Sequence, residues 1–215
     1  MNWKKSLFAN FKLYAVTDLP AFDPQIFKKV EAAYRGGADI VQLRSKSLTD
    51  TELYRVGTRF RKIARRFRKL FFVNDRLDLA LALEADGVHL GQDNLPLDTV
   101  RKILKGRKLF IGRSTHSLSQ ALRAVKEGHD YIGVGPIFET PTKPAYRPVG
   151  LDLIRKVAKR VRLPFVVIGG IDRERLQPVM EAGAKRVAVV RAIFGTRNTF
   201  QATRALREEM DTYEK

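Results

Sequence analysis

The sequence contains no cysteine among its 215 residues. Disulfide bonds and thiolate metal ligands are therefore excluded, and so is a secreted framework held by disulfides. No apolar run approaches the roughly 18 residues that a membrane-spanning helix needs. The first residues include lysines but no long apolar core followed by a small-residue cleavage site, so they do not resemble a signal peptide. We therefore expect no membrane partner and a cytoplasmic location.

Several catalytic motifs are also absent. The chain has no G-x-S-x-G elbow and no G-x-x-x-x-G-K-[ST] loop, and "GVGPIF" does not match G-x-G-x-x-G. The three histidines do not have the close spacing of metal ligands. We expect His129 to be structural and His89 to be packed in the core. For His116, packing at a helix start and contact with a substrate both stay open.

The charge balance is strongly basic, with 41 Lys and Arg against 23 Asp and Glu and a net charge of +18. Clustered cations of this kind raise the possibility of nucleic-acid binding. However, the densest basic run, residues 59–69, carries apolar residues every three or four positions, as one buried helical stripe requires. These are Leu53, Val56, Phe60, Ile63 or Ala64, and Phe67. The pattern favours a solvated helix face over a nucleic-acid-binding surface, with attraction of anionic substrates as the alternative.

Short apolar, β-rich runs alternate with helical patterns along the whole chain. The predicted strands are residues 12–18, 39–45, 69–75, 87–91, 108–114, 131–138, 165–171 and 186–194. Helices between consecutive strands force parallel pairing, and continuous apolar strands indicate that both faces of the sheet are covered. Eight such units predict an α/β fold, a (β/α)8 TIM barrel that forms a single domain over residues 1–215. A doubly wound open sheet is the alternative fold.

Helix-start signals stand between the predicted strands. Thr49 with Glu52 and Ser117 with Gln120 fit capping boxes, in which each side chain accepts or donates across the first turn. Asp172 fits an N-cap after the seventh predicted strand.

Polar residues stand where each predicted strand ends. They include Gln42, Arg44, Lys46, Asn74, Asp75, Asp93, Asn94, Ser114, His116, Thr140, Thr142, Lys143, Gly169, Gly170 and Arg191. In a barrel the carboxyl ends of the strands share one rim, where active sites of this fold lie. We therefore expect these residues to converge.

The residue types at this rim predict two anion sites. Arg44, Lys46 and Lys143 suit phosphate oxygens. Asp75 and Asp93 offer the oxygen ligands that Mg²⁺ uses together with substrate phosphates. These residues together predict a metal-dependent polyphosphate site.

The second predicted site holds a single phosphate, because Gly169–Gly170 allows backbone N–H groups to approach an anion beside the eighth strand. Each assignment has a structural alternative: tight packing for the two glycines, an ion pair between Asp75 and Arg44, and a helix-start turn for Asp93 and Asn94.

An ordered set of motifs resembles the thiamine phosphate synthase family, including its thiazole tautomerase branch. The motifs are "QLRSK", "VND", "GVHLGQ", "DYIGVGPIFETPTK", "VIGGI" and "AVVRAI", and the resemblance runs from about Phe11 to Asn198. It implies a Mg²⁺-dependent transferase that couples hydroxymethylpyrimidine diphosphate with thiazole phosphate. The products are thiamine phosphate and diphosphate, by a dissociative route in which diphosphate leaves first. The implied partners are small phosphorylated pyrimidine and thiazole molecules, and a homo-oligomer is compatible with the resemblance.

The resemblance also implies roles for individual residues. The pyrimidine diphosphate would contact Gln42, Arg44, Lys46, Asn74, Ser114 and Lys143, of which Arg44, Lys46, Lys143 and Ser114 are the predicted catalytic residues. The metal would be held by Asp75 with Asn94 or Asp93. The thiazole phosphate would contact Thr140, Thr142, Gly170 and the pair Val190 and Arg191, beside Gly169.

The sequence departs from the family pattern at three positions. The synthases usually carry a metal-binding carboxylate where Asn94 stands, and a serine where Arg191 stands. The tautomerase branch would have a catalytic histidine where Pro136 stands. The departures at Asn94 and Arg191 make a thiazole tautomerase-like relative, or one that binds without coupling, the alternative function, and Pro136 is evidence against the tautomerase branch. A nucleic-acid-binding protein is a remote alternative.

Overall fold

A computed structural model describes residues 3–142 and 146–213, which form a closed barrel of eight parallel strands. The strands are β1 (Leu13–Val16), β2 (Ile40–Leu43), β3 (Leu70–Asn74), β4 (Gly87–Leu90), β5 (Phe110–Thr115), β6 (Tyr131–Val134), β7 (Phe165–Ile168) and β8 (Val187–Val189). Each strand pairs in parallel with the next, and β8 pairs with β1. The predicted (β/α)8 barrel is confirmed, and the open sheet is not the fold.

The helices surround this barrel. They are α1 (Trp3–Asn10), α2 (Gln25–Arg35), α3 (Asp50–Phe67), α4 (Leu77–Ala82), α5 (Leu97–Leu104), α6 (Leu118–Glu127), α7 (Gly150–Arg160), α8 (Arg173–Glu181), α9 (Arg191–Phe194) and α10 (Thr199–Asp211). No helix in the described ranges is long and apolar enough to cross a membrane. Strand residues that face outward pack against the helices, and those that face inward form a separate aromatic core.

Helix α1 is an element that sequence reasoning did not assign. It lies across the amino-terminal end of the barrel, where the ring of Phe8 stacks on Phe110 with centroids 3.8 Å apart. Phe8 also stacks on Phe72 and meets the edge of Tyr131. The sequence of α1 is only weakly amphipathic, so its periodicity does not predict a buried face. The rings that Phe8 contacts come from different strands and lie together only in the closed barrel.

All eight strands are shorter than predicted, and two of them differ most from their predicted ranges. The strand predicted over residues 186–194 ends at Val189, and residues 191–194 form α9, whose first hydrogen bond runs from Phe194 N–H to the Val190 carbonyl at 2.9 Å. The apolar run gave no sign of this change because buried strands and buried helices share composition. Strand β6 ends at Val134, two residues before Pro136, which has no N–H to continue the ladder.

The predicted face of α3 is confirmed with one exception. Leu53, Val56 and Phe60 are buried, and most of the basic residues between them face solvent. Arg61 instead is buried, and its Nη1 lies 2.7 Å from the carboxylate of Asp86 at the amino-terminal end of the barrel. An arginine on this stripe is tolerated because an acidic residue faces it.

The predicted helix starts are largely confirmed. Thr49 and Glu52 form both bonds of a capping box. The Ser117 hydroxyl accepts from the N–H of Gln120 at 3.2 Å, but the Gln120 side chain accepts from His116 N–H rather than completing a box.

We expect Thr49→Ala to lower the free energy of unfolding by about 1 kcal/mol, because the first turn of α3 loses its capping oxygen. Hydrogen bonds from Thr49 lower the pKa of Glu52, so the contribution of Glu52 is lost as the pH falls through its folded-state pKa. The difference in free energy of unfolding between wild-type protein and Thr49→Ala should therefore become smaller below about pH 4.

Urea unfolding at neutral and acid pH measures this effect. Thr58→Ala in the same helix is the control, because the Thr58 hydroxyl bonds back to the Tyr54 carbonyl and caps nothing. Equal losses in the two variants would contradict the capping assignment.

Candidate active site

A cavity of about 750 Å³ opens at the carboxyl ends of the strands. Every strand or the loop after it contributes to the wall. The predicted site residues that line it are Gln42, Arg44, Lys46, Asn74, Asp75, Asp93, Asn94, Ser114, Thr140, Thr142, Gly169, Gly170, Val190 and Arg191. Lys143 lies outside the described residues. The barrel therefore brings together residues that are distant in sequence, at the end where the fold places active sites.

The cationic wall of the cavity is formed at the end of β2. Arg44 is only 5% exposed, and its guanidinium pairs with Asp18 in the loop after β1. The Arg44 N–H donates to the Thr17 hydroxyl at 3.0 Å, which holds the strand end in place. The alternative of an ion pair between Asp75 and Arg44 is wrong. Lys46 is exposed and lines the same wall.

The neighbouring part of the wall, at the ends of β3 and β4, carries oxygen atoms around Gly91. Asp75 adopts a left-handed backbone with φ of 60°, an uncommon conformation for a residue other than glycine, and donates its N–H to the His89 carbonyl at 2.8 Å. Asn74 donates to Asp75 Oδ2 at 2.7 Å. A Cβ built on Gly91 would lie 3.4 Å from Asn94 Oδ1 and 3.6 Å from Asp75 Oδ1. The two oxygens therefore face the same small space.

These oxygens fit a cation that is shared with a ligand rather than held by protein alone. Among residues 3–142 and 146–213, no three His, Asp or Glu side chains cluster as a metal site. Mg²⁺ commonly takes one or two protein oxygens and completes its shell with phosphate oxygens and water. Asp93 is exposed beside this space. Asn94 does not cap α5, because its Oδ1 accepts from the Gly91 N–H instead.

The two glycines after β7 form a left-handed turn at the far side of the cavity, with φ of 109° for Gly169 and 65° for Gly170. A Cβ on Gly169 would lie 2.5 Å from Pro136, and one on Gly170 would lie 2.6 Å from the Glu139 carbonyl oxygen. The tight-packing alternative is therefore correct for both residues. It does not exclude an anion site, since the same turn lines the cavity.

Arg175 is a cavity residue that sequence reasoning missed. It follows the N-cap Asp172, donates from Nη1 to the Gly170 carbonyl at 2.9 Å, and lies over the ring of Phe138. Arg191, at the start of α9, lines the same cavity, so the cavity wall near β7 and β8 carries two arginines. Only the proximity of α8 to this turn identifies Arg175, and no local motif marks it.

The three histidines differ from one another in their surroundings. His89 lines the cavity, so its predicted place in the core is wrong. His116 also lines the cavity, and its ring lies tilted against that of Tyr146 with centroids 4.7 Å apart. Its backbone N–H donates to the Gln120 side chain in the first turn of α6, and contact with a substrate stays a prediction. His129 is buried with Nδ1 3.2 Å from the Ala124 carbonyl, as predicted for a structural residue, and burial lowers its pKa.

Comparisons with known proteins agree with this fold and identify the family. The family model described as thiamine monophosphate synthase matches residues 13–193. The thiamine-phosphate synthase of Synechocystis sp. is 46% identical over 200 residues, which are 92% of this chain and 57% of that protein. That of Shouchella clausii is 45% identical over 204 residues, covering 94% of this chain and 97% of that protein.

A solved structure, thiamine phosphate pyrophosphorylase from Pyrococcus furiosus, superposes with a TM-score of 0.86 at 36% identity and covers 97% of this chain and 100% of that one. The chain spans less than two thirds of the Synechocystis relative and of a Gloeobacter violaceus relative, at 57% and 60% of their lengths, but nearly all of the Shouchella protein. The family model and the relatives match nearly the same part of the chain. The chain therefore belongs to the thiamine monophosphate synthase family.

Proposed function

We propose that this protein is a thiamine-phosphate synthase that couples hydroxymethylpyrimidine diphosphate with thiazole phosphate. The observation that carries the proposal is one cavity with cations on one wall, oxygen ligands on another and a glycine turn with two arginines on a third. Family membership supports the same activity. The chain contributes binding groups at both expected phosphate positions.

The reaction requires neutralisation of charge more than proton transfer. The bond between the pyrimidine methylene carbon and the diphosphate oxygen breaks, and the oxygen keeps the electron pair. The thiazole nitrogen then donates its lone pair to the same carbon. Arg44 and Lys46 lie where they can stabilise the charge that develops on the leaving diphosphate. Lys143 is assigned the same role by the resemblance alone.

A magnesium ion would be held by Asp75 and Asn94, and the exposed Asp93 is not assigned a contact with it. A carboxylate and an amide oxygen facing one space suit a Mg²⁺ ion that takes its remaining ligands from phosphate and water. When bound, the ion supplies further positive charge to the diphosphate. Asn74 supports this arrangement because its bond to Asp75 Oδ2 leaves Oδ1 directed at the shared space.

The thiazole phosphate would lie against the glycine turn after β7. Gly170 and Val190 line that region, with Thr140 and Thr142 on the loop after β6. Arg191 adds a guanidinium in the same region, so phosphate binding there is served by side-chain charge as well as by backbone.

The test is an assay with both substrates and Mg²⁺ and with each component omitted in turn. Thiamine phosphate and diphosphate should form in equal amounts, and only when all three are present. No product under these conditions would refute the proposal. Isomerisation of the thiazole phosphate without diphosphate release would select the tautomerase-like alternative instead.

The assignment of Asn94 as a magnesium ligand leads to a separate prediction. Asn94→Asp should lower the Mg²⁺ concentration at half-maximal activity by about tenfold, because it adds charge to the space beside Asp75. Asn94→Ala should raise that concentration, since an oxygen is lost. Titration of activity with Mg²⁺ at saturating substrates measures both changes.

Asp93→Asn is the matched control, because Asp93 is exposed and adjacent in sequence. It should leave the Mg²⁺ requirement within about twofold, as expected for a surface charge. A larger effect for Asp93→Asn than for Asn94→Ala would assign the metal to Asp93.

We also propose that residues 1–215 form one barrel domain, since the described residues belong to one set of strands and covering helices. A homo-oligomer and a cytoplasmic location stay predictions, as does the absence of nucleic-acid binding.

A further inference from the structure

A line of hydrogen-bonded side chains crosses the interior of the barrel beneath the cavity. Gln42 Nε2 donates to the Tyr14 hydroxyl at 2.7 Å, and the hydroxyls of Tyr14 and Tyr131 are 3.2 Å apart. The Tyr131 hydroxyl lies 2.9 Å from His89 Nδ1, and His89 Nε2 lies 2.9 Å from the Ser114 hydroxyl. These five residues, which we call the barrel-floor chain, come from five different strands.

Two glycines make room for its rings. A Cβ on Gly112 would lie 2.2 Å from Cζ of Tyr131, and a Cβ on Gly133 would lie 3.0 Å from Cε1 of His89. Glycine in a strand interior weakens the strand and often marks a close approach of this kind. The positions of both rings therefore depend on glycines in β5 and β6.

The direction of the protons along the barrel-floor chain follows from counting donors. Burial raises the pKa of Tyr14 and of Tyr131, so each hydroxyl carries one proton at neutral pH. Tyr14 accepts from Gln42, and its other hydrogen-bond partner within the described part of the chain is Tyr131. The distances of 3.2 Å between the two hydroxyls and 2.9 Å between Tyr131 and His89 Nδ1 fit either donor direction. The direction that uses every hydroxyl proton within the barrel-floor chain has Tyr14 donating to Tyr131 and Tyr131 donating to His89 Nδ1.

The consequence reaches the cavity through His89. With Nδ1 accepting from Tyr131, the neutral imidazole carries its proton on Nε2 and donates to the Ser114 oxygen. The Ser114 hydroxyl then has its own proton available for an acceptor in the cavity that Ser114 lines. The opposite tautomer would make Ser114 donate to His89 and remove that donor from the ligand.

We propose that Tyr131 is a positioning residue that holds His89 in its Nε2-protonated tautomer and thereby makes Ser114 a hydrogen-bond donor to the bound ligand. The identity of that ligand rests on the proposed function, whereas the tautomer is a property of the protein alone. The acceptor is a phosphate oxygen or a ring nitrogen of the pyrimidine diphosphate, the two acceptor types that this substrate offers.

The first measurement is the tautomer of His89 by ¹⁵N NMR on protein labelled at its three histidines, with signals assigned by His116→Gln and His129→Gln. Wild-type protein should show Nδ1 unprotonated and Nε2 protonated at neutral pH. In Tyr131→Phe, His89 should be present as a mixture of the Nδ1-protonated and Nε2-protonated tautomers. A wild-type His89 that is protonated on Nδ1 would overturn the proposal without any variant having to fold.

The second measurement is kinetic. Tyr131→Phe should lower kcat/KM for the pyrimidine diphosphate about tenfold, the size of one lost hydrogen bond, and leave KM for the thiazole phosphate within about twofold. In a Ser114→Ala background the same change should cost nothing more, because the donor that Tyr131 positions is already gone. Equal losses in both backgrounds would overturn the proposal.

Tyr34→Phe is the matched control for removal of a buried hydroxyl. The Tyr34 hydroxyl donates to the Leu70 carbonyl at 2.8 Å, and Tyr34 is as buried as Tyr131 but lies outside the barrel-floor chain. It should leave the His89 signals and the kinetics unchanged. If wild-type protein makes no thiamine phosphate, the proposed function fails while the NMR result still decides the tautomer.

Discussion

Replacing Arg44 with alanine is expected to lower kcat/KM for the pyrimidine diphosphate by about 10²–10³-fold, the usual cost of removing one charged donor that faces developing negative charge. Arg44 is almost fully buried at the cavity wall, and its guanidinium pairs with Asp18, so the guanidinium is preorganised. The Thr17 hydroxyl accepts from the backbone N–H of Arg44 and fixes the end of β2. A preorganised charge in a site shielded from water contributes more than a mobile surface cation. Steady-state kinetics with each substrate varied separately measures the loss.

Three variants separate this role from simpler explanations. Arg44→Lys keeps the charge but not the paired donors and should recover only part of the activity. Asp18→Asn removes the ion pair but keeps the Arg44 cation, so its kcat/KM shows whether pairing with Asp18 contributes to activity. Arg155→Ala removes one exposed cation from α7 and should change kcat/KM by less than twofold at moderate salt. An equal loss for Arg155→Ala would attribute the effect to overall charge.

Replacing Asp86 with alanine is expected to lower the free energy of unfolding by about 3–5 kcal/mol, because it leaves Arg61 buried without its counter-charge. Asp86 Oδ2 accepts from Arg61 Nη1 at 2.7 Å and from the Phe71 N–H at 2.9 Å, and Lys4 Nζ lies 2.7 Å from Oδ1. Arg61 Nε is buried and has no hydrogen-bond partner in residues 3–142 and 146–213, which adds to its dependence on this carboxylate. Urea unfolding followed by circular dichroism measures the change.

The double variant Asp86→Ala with Arg61→Leu should recover much of the loss, since both charges are then gone. Asp152→Ala, which breaks an exposed pair with Arg155, is the control and should cost less than about 1 kcal/mol. The folded fraction of Asp86→Ala should keep its activity, because Asp86 precedes β4 at the end of the barrel away from the cavity. A loss of under 1 kcal/mol would contradict the buried-pair assignment.

The fold could be predicted because its signals are local. Each strand is a short apolar run, and helix starts such as Thr49 with Glu52 are decided by residues three positions apart. The prediction failed where local pattern is ambiguous, as in residues 191–194, which continue an apolar run but form a helix. Helix α1 was also not predicted from the sequence, because its Phe8 packs on Phe72 and Phe110, which belong to different strands.

The candidate site was predictable as a set of residues and not as a set of contacts. Fourteen of the fifteen predicted site residues line one cavity, and Lys143 lies outside the described residues. Their convergence follows from parallel strands whose carboxyl ends share a rim. The sequence left an ion pair between Arg44 and Asp75 open as an alternative, but Arg44 pairs with Asp18. Both aspartates stand at strand ends, and the closed barrel brings Asp18 to the guanidinium.

The barrel, the family resemblance and the chemical types at the rim can be predicted from the amino-acid sequence alone, because periodicity and short motifs depend on residues that are close together in the chain. Which atoms meet depends on the closed barrel: Asn94 Oδ1 and Asp75 Oδ1 lie beside Gly91, Arg175 donates to the carbonyl of Gly170, and His89 lines the cavity. Tyr14 and Tyr131 are 117 positions apart and share a hydrogen bond inside the barrel. No local pattern specifies such a pair, since strand closure alone brings the two hydroxyls together.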